Sequence, residues 1–445
     1  MSDTRALTDT VKNNLIPSSR DTSASKFDNS DQDILQGETL SVSDQQSEKH
    51  STPDQPDGGY GWVVVLAALN CIFRGVMQNY YEQHHFSAKV VQLSFVGTIA
   101  NLLLNSLGPL TQSMLMLMSS RTVLWISVIL SVVGLELASF STEIWHLYLA
   151  HGVVFGAGAS MTFYIAMSAV PSWFTRQEGL ALALASMGSC LGGIVIPLVM
   201  APLNREIGAS WGYRALGLIT LVMGGISCLL FKDRSTAPKR LPTLKELVPV
   251  EIVNNLNFLL WCLADILMEG GYCIPFFYLP SNAEYLGLSA TQGSVLVALA
   301  SATNLLGRLV AGALGDRLGH VNIVMLYALI TSLSCFLIWK FANSFGVLVA
   351  FSSLFGFCGG SFIALTPSII SIVCGKEKLH AGLSLFLILT LISMFSPNLA
   401  GAVEQHVSAE PFLSYKLFTG TAYAAGAIVM TILKFRINHH AFSKV

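Results

Sequence analysis

The sequence predicts an all-α integral membrane protein with twelve transmembrane helices in two six-helix halves, and three observations carry that expectation. The 445-residue chain is 53% hydrophobic and 11% charged, with a mean hydropathy of +0.60, whereas soluble domains carry about 25% charged residues. Its apolar residues gather into twelve segments, each close to the ~20 residues that cross ~30 Å of hydrocarbon. The segments divide six and six around residues 232–254, the longest internal polar connection.

Residues 1–56 are rich in Ser, Asp, Gln and Thr and contain one aromatic, Phe27. Such a segment buries too little apolar surface to offset the entropy of ordering, so it reads as a disordered tail. The first half, 57–231, holds spans at 61–80, 91–110, 122–140, 145–170, 179–201 and 213–231. The linker 232–254 begins KDRSTAPKRLPTLKE. The second half, 255–436, holds spans at 255–280, 292–314, 321–341, 344–373, 380–403 and 412–435, and 437–445 forms a short tail. An even number of spans puts both termini on one side, and basic residues choose that side. Arg121, Arg176, the Lys232 to Lys245 cluster, Arg317, Lys376 and Lys378 fall in the even-numbered connections, so both ends are expected in the cytoplasm, with the plasma membrane as the location.

A weak internal repeat supports the division. At an offset of 200 residues Phe155-Gly156 aligns with Phe355-Gly356, Arg176 with Lys376, and Pro197 with Pro397. Internal duplication of this kind suits a carrier whose substrate sits near the midplane between the repeats. Gly152-x-x-x-Gly156, the Gly188, Gly192, Gly193 group, and Gly356, Gly359, Gly360 let helix backbones approach closely.

Several function classes are excluded. No basic patch is interleaved with aromatics, so nucleic-acid binding is set aside. All eight cysteines fall in or beside apolar segments without a CxxC pair, which fits buried thiols rather than disulfides or zinc. No Walker A loop, no HExxH and no grouping of nucleophile, base and orienting residue is present, which argues against ATP-driven transport and against catalysis. No cofactor is expected.

One charge stands out. Arg308, in NLLGRLVAGALGDRLG (304–319), lies where hydrocarbon is expected. A guanidinium does not lose its proton, so it faces a partner, a water-filled cavity or an anionic ligand, or it snorkels to the nearby interface. Asp265 and Glu269, in the seventh span, are four residues apart and share one helix face. Two close carboxylates in low dielectric resist double ionisation, which is what a proton-exchanging site needs; the alternative is that one of them satisfies Arg308 or Arg74. Glu136 and His151 are weaker candidates, placed near the outer surface.

Four stretches together resemble the monocarboxylate transporter branch of the major facilitator superfamily, in its fungal form. They are DGGYGW (57–62), SWFTRQEGLALALASMGSCLGG (172–193), PFFYLPSNAEYLGLSATQGS (275–294) and NLLGRLVAGALGDRLG itself. The resemblance spans residue 57 to the end. It implies the major facilitator fold and alternating access for a small organic anion, with protons as the candidate coupling ion. It also implies that Gly312, Asp316 and Arg317 form a cytoplasmic gate in which the acid meets a neighbouring helix N-terminus and the arginine an acidic partner.

The chain departs from that pattern in three places. Gln112 and Ser113 stand where the first half would be expected to carry an Asp-Arg pair. Asn304 replaces the acid that the family places four residues before its essential arginine, so Asn304 and Arg308 are candidate substrate contacts but residue 304 does not titrate. The first span looks short, and Arg74 lies near, though not at, the position of a substrate-handling lysine. These departures favour export of an acidic secondary metabolite over the alternatives, which are proton-coupled uptake of a monocarboxylate or of a vitamin such as riboflavin, and a membrane sensor that transports nothing.

Overall fold

The computed structural model describes residues 59–73, 90–232, 249–407 and 410–438. The tail at 1–56, most of the 232–254 linker, the final residues and Arg74 lie outside them. In the first half, α1 is Tyr60–Phe73 and α2 is Val90–Ser106, continued past Leu107 by Gly108–Leu117. Then follow α3, Ser120–Ser139, α4, Ile144–Ser172, α5, Glu178–Ile207, and α6, Ala209–Leu230. In the second half, α7 is Leu256–Tyr285, α8 is Ala290–Leu318, α9 is His320–Trp339, α10 is Phe345–Cys374 and α11 is Lys376–Glu404. The last helix, α12, is Leu413–Ile437.

Each expected span is therefore a helix over its described residues. Among these residues nine helices are long and apolar enough to cross a bilayer, and α1 and α5 contribute the shorter apolar stretches Tyr60–Leu69 and Glu178–Gly192. Several helices overrun the apolar segments because backbone hydrogen bonding does not stop where hydrocarbon does. Local sequence sets the true ends. Ser119 accepts from Thr122 N–H, Asn255 from Asn257 N–H, and Ser289 forms a reciprocal capping box with Gln292. Gly319 and Gly375, with φ of 99° and 86°, end α8 and α10 in a backbone region that side chains with a Cβ disfavour.

The outer faces are apolar: Leu218, Leu229, Leu337 and Ile428 are each more than half exposed. Exposed apolar surface on that scale suits lipid rather than water. At the end of the bundle that carries the basic connections, Arg121 donates to the terminal carbonyls of α6 at Leu229 and Phe231. At the same end, Lys378 pairs with Glu251 in the short helix before α7 and holds its carboxyl below the usual carboxylate range.

The repeat is visible in the packing. α1 rests on α5, α2 on α4 and α3 on α6; six helices later α7 rests on α11, α8 on α10 and α9 on α12. The offset of 200 is kept at individual contacts. A Cβ on Gly156 would lie 3.0 Å from Ala100 Cα, and one on Gly356 would lie 2.8 Å from Ala300 Cα. The same offset joins Ser120, the first residue of α3, to His320, the first of α9.

At that offset Met116 and Leu117 align with Asp316 and Arg317, and Gln112 with Gly312; neither this alignment nor the one by residue type puts an Asp-Arg pair in the first half. Gln112 is buried, and its Oε1 meets no donor among the described residues. At this offset the counterparts of Asn304 and Arg308 are Leu104 and Gly108, so α2 carries no charge where α8 carries Arg308.

The halves meet along two seams. On one, α5 packs against α8 and α10; on the other, α2 and α4 pack against α11. The second seam is short-range: the Tyr164 hydroxyl donates to the His380 carbonyl at 2.7 Å, and a Cβ on Gly108 would lie 3.2 Å from Ser384 Cα.

Candidate functional site

Arg308 belongs to the α5/α8 seam. It follows the eighteenth residue of α8, leaving ten residues, about 15 Å at 1.5 Å per residue, before the basic end of the helix. At 4% exposure it does not snorkel. Its side chain instead crosses into the other half, where Nη1 donates to the Ser186 carbonyl at 3.3 Å and to Ser189 Oγ at 3.2 Å, both on α5. Within its own helix Nε donates to Asn304 Oδ1 at 2.7 Å.

Asn304 is fixed in turn. Its Nδ2 donates to the Gly356 carbonyl of α10 at 3.1 Å, and its Oδ1 also accepts from the Cys190 thiol of α5 at 3.4 Å. Gly360 gives it room, since a Cβ there would come within 2.9 Å of Oδ1. The glycines of α10 therefore serve the site as well as helix packing: one supplies a carbonyl, the other space.

The carboxylates are near the arginine without discharging it. Glu269, half-buried on α7, lies within electrostatic reach of Arg308, and Asp265, 4% exposed, lies within reach of Glu269. Among the described residues neither forms a salt bridge with Arg308. The Tyr272 side chain, one turn beyond Glu269, adds a polar contact to the guanidinium. All the arginine's hydrogen-bond partners are thus neutral, and the burial of a full positive charge is sustained by dipoles.

Beyond Tyr272 the α7 face turns aromatic. Tyr272 packs with Phe276 at 5.1 Å and edge-on with Phe362 at 6.0 Å. An anionic head at Arg308 would therefore sit next to an apolar wall.

Two turns below Arg308, Asp316 lies at the N-terminus of α5. Its Oδ1 accepts from Gly179 N–H at 2.7 Å and its Oδ2 from Leu180 N–H at 2.9 Å, where the helix dipole favours negative charge. Gly312 allows the approach, since a Cβ on it would lie 2.7 Å from Ala183 Cβ. Arg317 is exposed and pairs with no acid among the described residues. His320 instead stands beside Asp316, with Nε2 3.3 Å from Oδ1.

His151 is buried in the first half between Phe155 and Tyr213, in the π-helical stretch Tyr148–Phe155 near the start of α4. Glu136 faces Gly217 of α6. Neither approaches Arg308. Among the described residues no group of three or more His, Cys, Asp or Glu side chains is placed to hold a metal ion.

Sequence reasoning missed Ser186, Ser189, Cys190 and Tyr272. The signal was present: Ser186, Ser189 and Cys190 stand at i, i+3 and i+4 in a glycine-rich helix and so share one face. What the pattern lacked was the partner helix toward which that face turns.

The sequence model described as Major Facilitator Superfamily matches residues 62–282 and 262–441. Fungal proteins are similar over most of their length. "MFS transporter asaE" of Aspergillus flavus is 29% identical over 395 residues, covering 85% of this chain and 88% of that protein. The "Fujikurins efflux protein" of Gibberella fujikuroi is 26% identical over 390 residues, covering 84% and 83%. "Aspyridones efflux protein apdF" of Emericella nidulans is 26% identical over 390 residues, covering 84% and 78%. Among solved structures, the E. coli fucose:proton symporter FucP superposes with a TM-score of 0.65 at 18% identity over 84% of this chain and 98% of that one. The proton:xylose symporter XylE gives 0.63 at 14%, covering 84% and 94%.

Proposed function

The chain belongs to the Major Facilitator Superfamily, and from that premise we propose that it is a secondary transporter that exports an acidic secondary metabolite by alternating access. The carrying observation is Arg308: a buried cation, held between the two halves by neutral groups only, offers an anion a strong attractor in low dielectric. Asn304 orients it. The aromatic face at Tyr272 and Phe276 suits a bulky, apolar body on the substrate, and the efflux direction is supported by the names of the fungal relatives.

Asp265 and Glu269 are the proposed proton-coupling pair, since the amide at 304 has no proton to exchange. Asp316 and Gly312 are the proposed gate: the carboxylate closes α8 onto α5 at the basic end, and Arg317 lies at its rim. Arg74 remains a proposed third substrate contact. The motifs at 57–62 and 172–193 support a place in the monocarboxylate porter branch, and the basic connections support cytoplasmic termini in the plasma membrane.

The test is transport by purified protein in proteoliposomes, using radiolabelled acids that range from pyruvate to bulky aromatic and polyketide-derived carboxylic acids. The expected result is flux of a bulky acid that falls at least about tenfold in Arg308→Ala, as removal of a charge-assisted contact implies. Rapid pyruvate flux that survives Arg308→Ala would refute both the substrate class and the role of the arginine.

A further inference from the structure

Arg308 has five N–H donors but few ways to present two of them side by side. A carboxylate grips a guanidinium bidentately, either along the Nε–Nη2 edge or along the Nη1–Nη2 end. Asn304 and the α5 acceptors each occupy one tine of these forks, beside the polar contact from Tyr272. Nε is held at 2.7 Å by Asn304, in the same helix. Nη1 is held at 3.3 and 3.2 Å by Ser186 O and Ser189 Oγ, in the opposite half of the molecule. The longer pair is the easier one to displace, and displacing it leaves the Nε–Asn304 bond within α8 intact, with the weaker Cys190 thiol contact to Asn304 left to part as α5 moves away.

We propose that Ser189 is a positioning residue that parks Arg308 across the α5/α8 seam, and that an arriving carboxylate takes Nη1 from Ser189 and thereby releases the polar bridge between the halves. This rests on the reading of Arg308 as the anion contact. The exchange replaces neutral acceptors with a charged one, and charge-assisted bonds are roughly twice as strong. Part of the energy of substrate recognition is therefore used to unfasten α5 from α8 at mid-depth. The other seam has no equivalent device among the described residues, because the counterpart of Arg308 is Gly108, packed directly on Ser384. Ser186 contributes its backbone carbonyl, which no side-chain substitution removes. Ser189 is the residue through which the bridge can be tuned.

Cys190 offers a direct readout. Its thiol donates to Asn304 Oδ1 across the same seam and is buried at 9% exposure, so a maleimide reaches it only when α5 leaves α8. The experiment follows Cys190 alkylation by peptide mass spectrometry in full-length protein in nanodiscs, titrated with acetate, pyruvate and benzoate, with benzamide as the uncharged control. Expected are faster alkylation with at least one carboxylate and none with benzamide, no carboxylate response in Arg308→Gln, and, in Ser189→Ala, half-maximal response at about tenfold lower concentration, the scale of one hydrogen bond to a charged group. Ser189→Thr, which keeps the hydroxyl, should restore the wild-type midpoint; a merely structural role would not move the midpoint in this way. Equal midpoints in wild type and Ser189→Ala would overturn the parking role while leaving the anion role of Arg308 standing. A carboxylate response that persists in Arg308→Gln would overturn the reading beneath it, and a wild type indifferent to all three acids would overturn the competition itself.

Discussion

Replacing Asn304 by aspartate changes one atom type at the centre of the site and has a calculable consequence. In the native protein Asn304 Oδ1 accepts from Arg308 at 2.7 Å while Nδ2 donates to the Gly356 carbonyl at 3.1 Å. An ionised aspartate keeps the first bond and strengthens it: with charge centres ~4 Å apart and an effective dielectric of about 20, the added attraction is about 4 kcal/mol. It loses the second, and sets a carboxylate oxygen against a carbonyl oxygen, which returns about 1–3 kcal/mol. The net attraction of about 1–3 kcal/mol is what an incoming anion must overcome, so its apparent affinity falls about 5- to 150-fold. Protonation reverses this, because the carboxyl O–H can donate to Gly356 O and the arginine's charge is released. Anion flux in Asn304→Asp should therefore rise as the medium is made more acid, through a titration that the native amide lacks. Proteoliposome flux of the same substrate, measured across mildly acid to mildly alkaline buffer with equal pH on both faces, reads the effect. A variant whose flux and pH profile match the wild type would refute the claim that Arg308 is held ready for an anion by a neutral partner.

Two further outcomes follow from the same geometry. Asp316→Asn leaves one oxygen to receive the Gly179 and Leu180 N–H groups and removes the charge at the α5 N-terminus, so closure at the basic end should weaken by about 1–3 kcal/mol, seen as a longer mean distance between spin labels placed on the α4–α5 and α8–α9 connections. Asp265→Asn together with Glu269→Gln removes both titratable groups of α7; transport driven by an imposed pH gradient should disappear while equal-pH exchange of substrate continues, and gradient-driven accumulation in the double variant would dismiss them as the coupling pair.

The twelve spans were legible because burial in lipid demands long apolar runs and little else. Their ends were less so: Ser119, Asn255 and Ser289 fix helix starts by capping bonds that hydropathy does not register. Arg308 was legible as a charge out of place, and Asn304 by its spacing from it. The direction in which the arginine reaches was not, because it depends on which helix of the other half lies alongside α8, a long-range fact that no local pattern encodes. The first-half counterpart of the gate is ambiguous for the same reason: residue type points to Gln112 and Ser113, whereas the offset kept by Gly156 on Ala100 and Gly356 on Ala300 points one turn further on.

That register exposes an asymmetry with mechanical meaning. Both halves have the same helix order and a matching glycine contact, yet among the described residues the polar side-chain bonds named here are concentrated on one seam. Along α5/α8 the halves are joined by Arg308 to Ser186 and Ser189, by Asn304 to Cys190, and by Asp316 to the α5 N-terminus. Along α2/α11 the equivalent depth holds Gly108 against Ser384, with the Tyr164 hydroxyl on a backbone carbonyl nearby. Directional bonds break at small displacements, whereas close apolar contacts can slide. On the proposed reading the first seam is the one whose opening depends on what binds and on its charge, and the second is suited to act as the bearing on which the halves turn. A ligand shifts a two-state equilibrium only through interactions that differ between the states. On the proposed role of Arg308, the interaction that differs is the one it makes, with α5 when the site is empty and with an anion when it is filled.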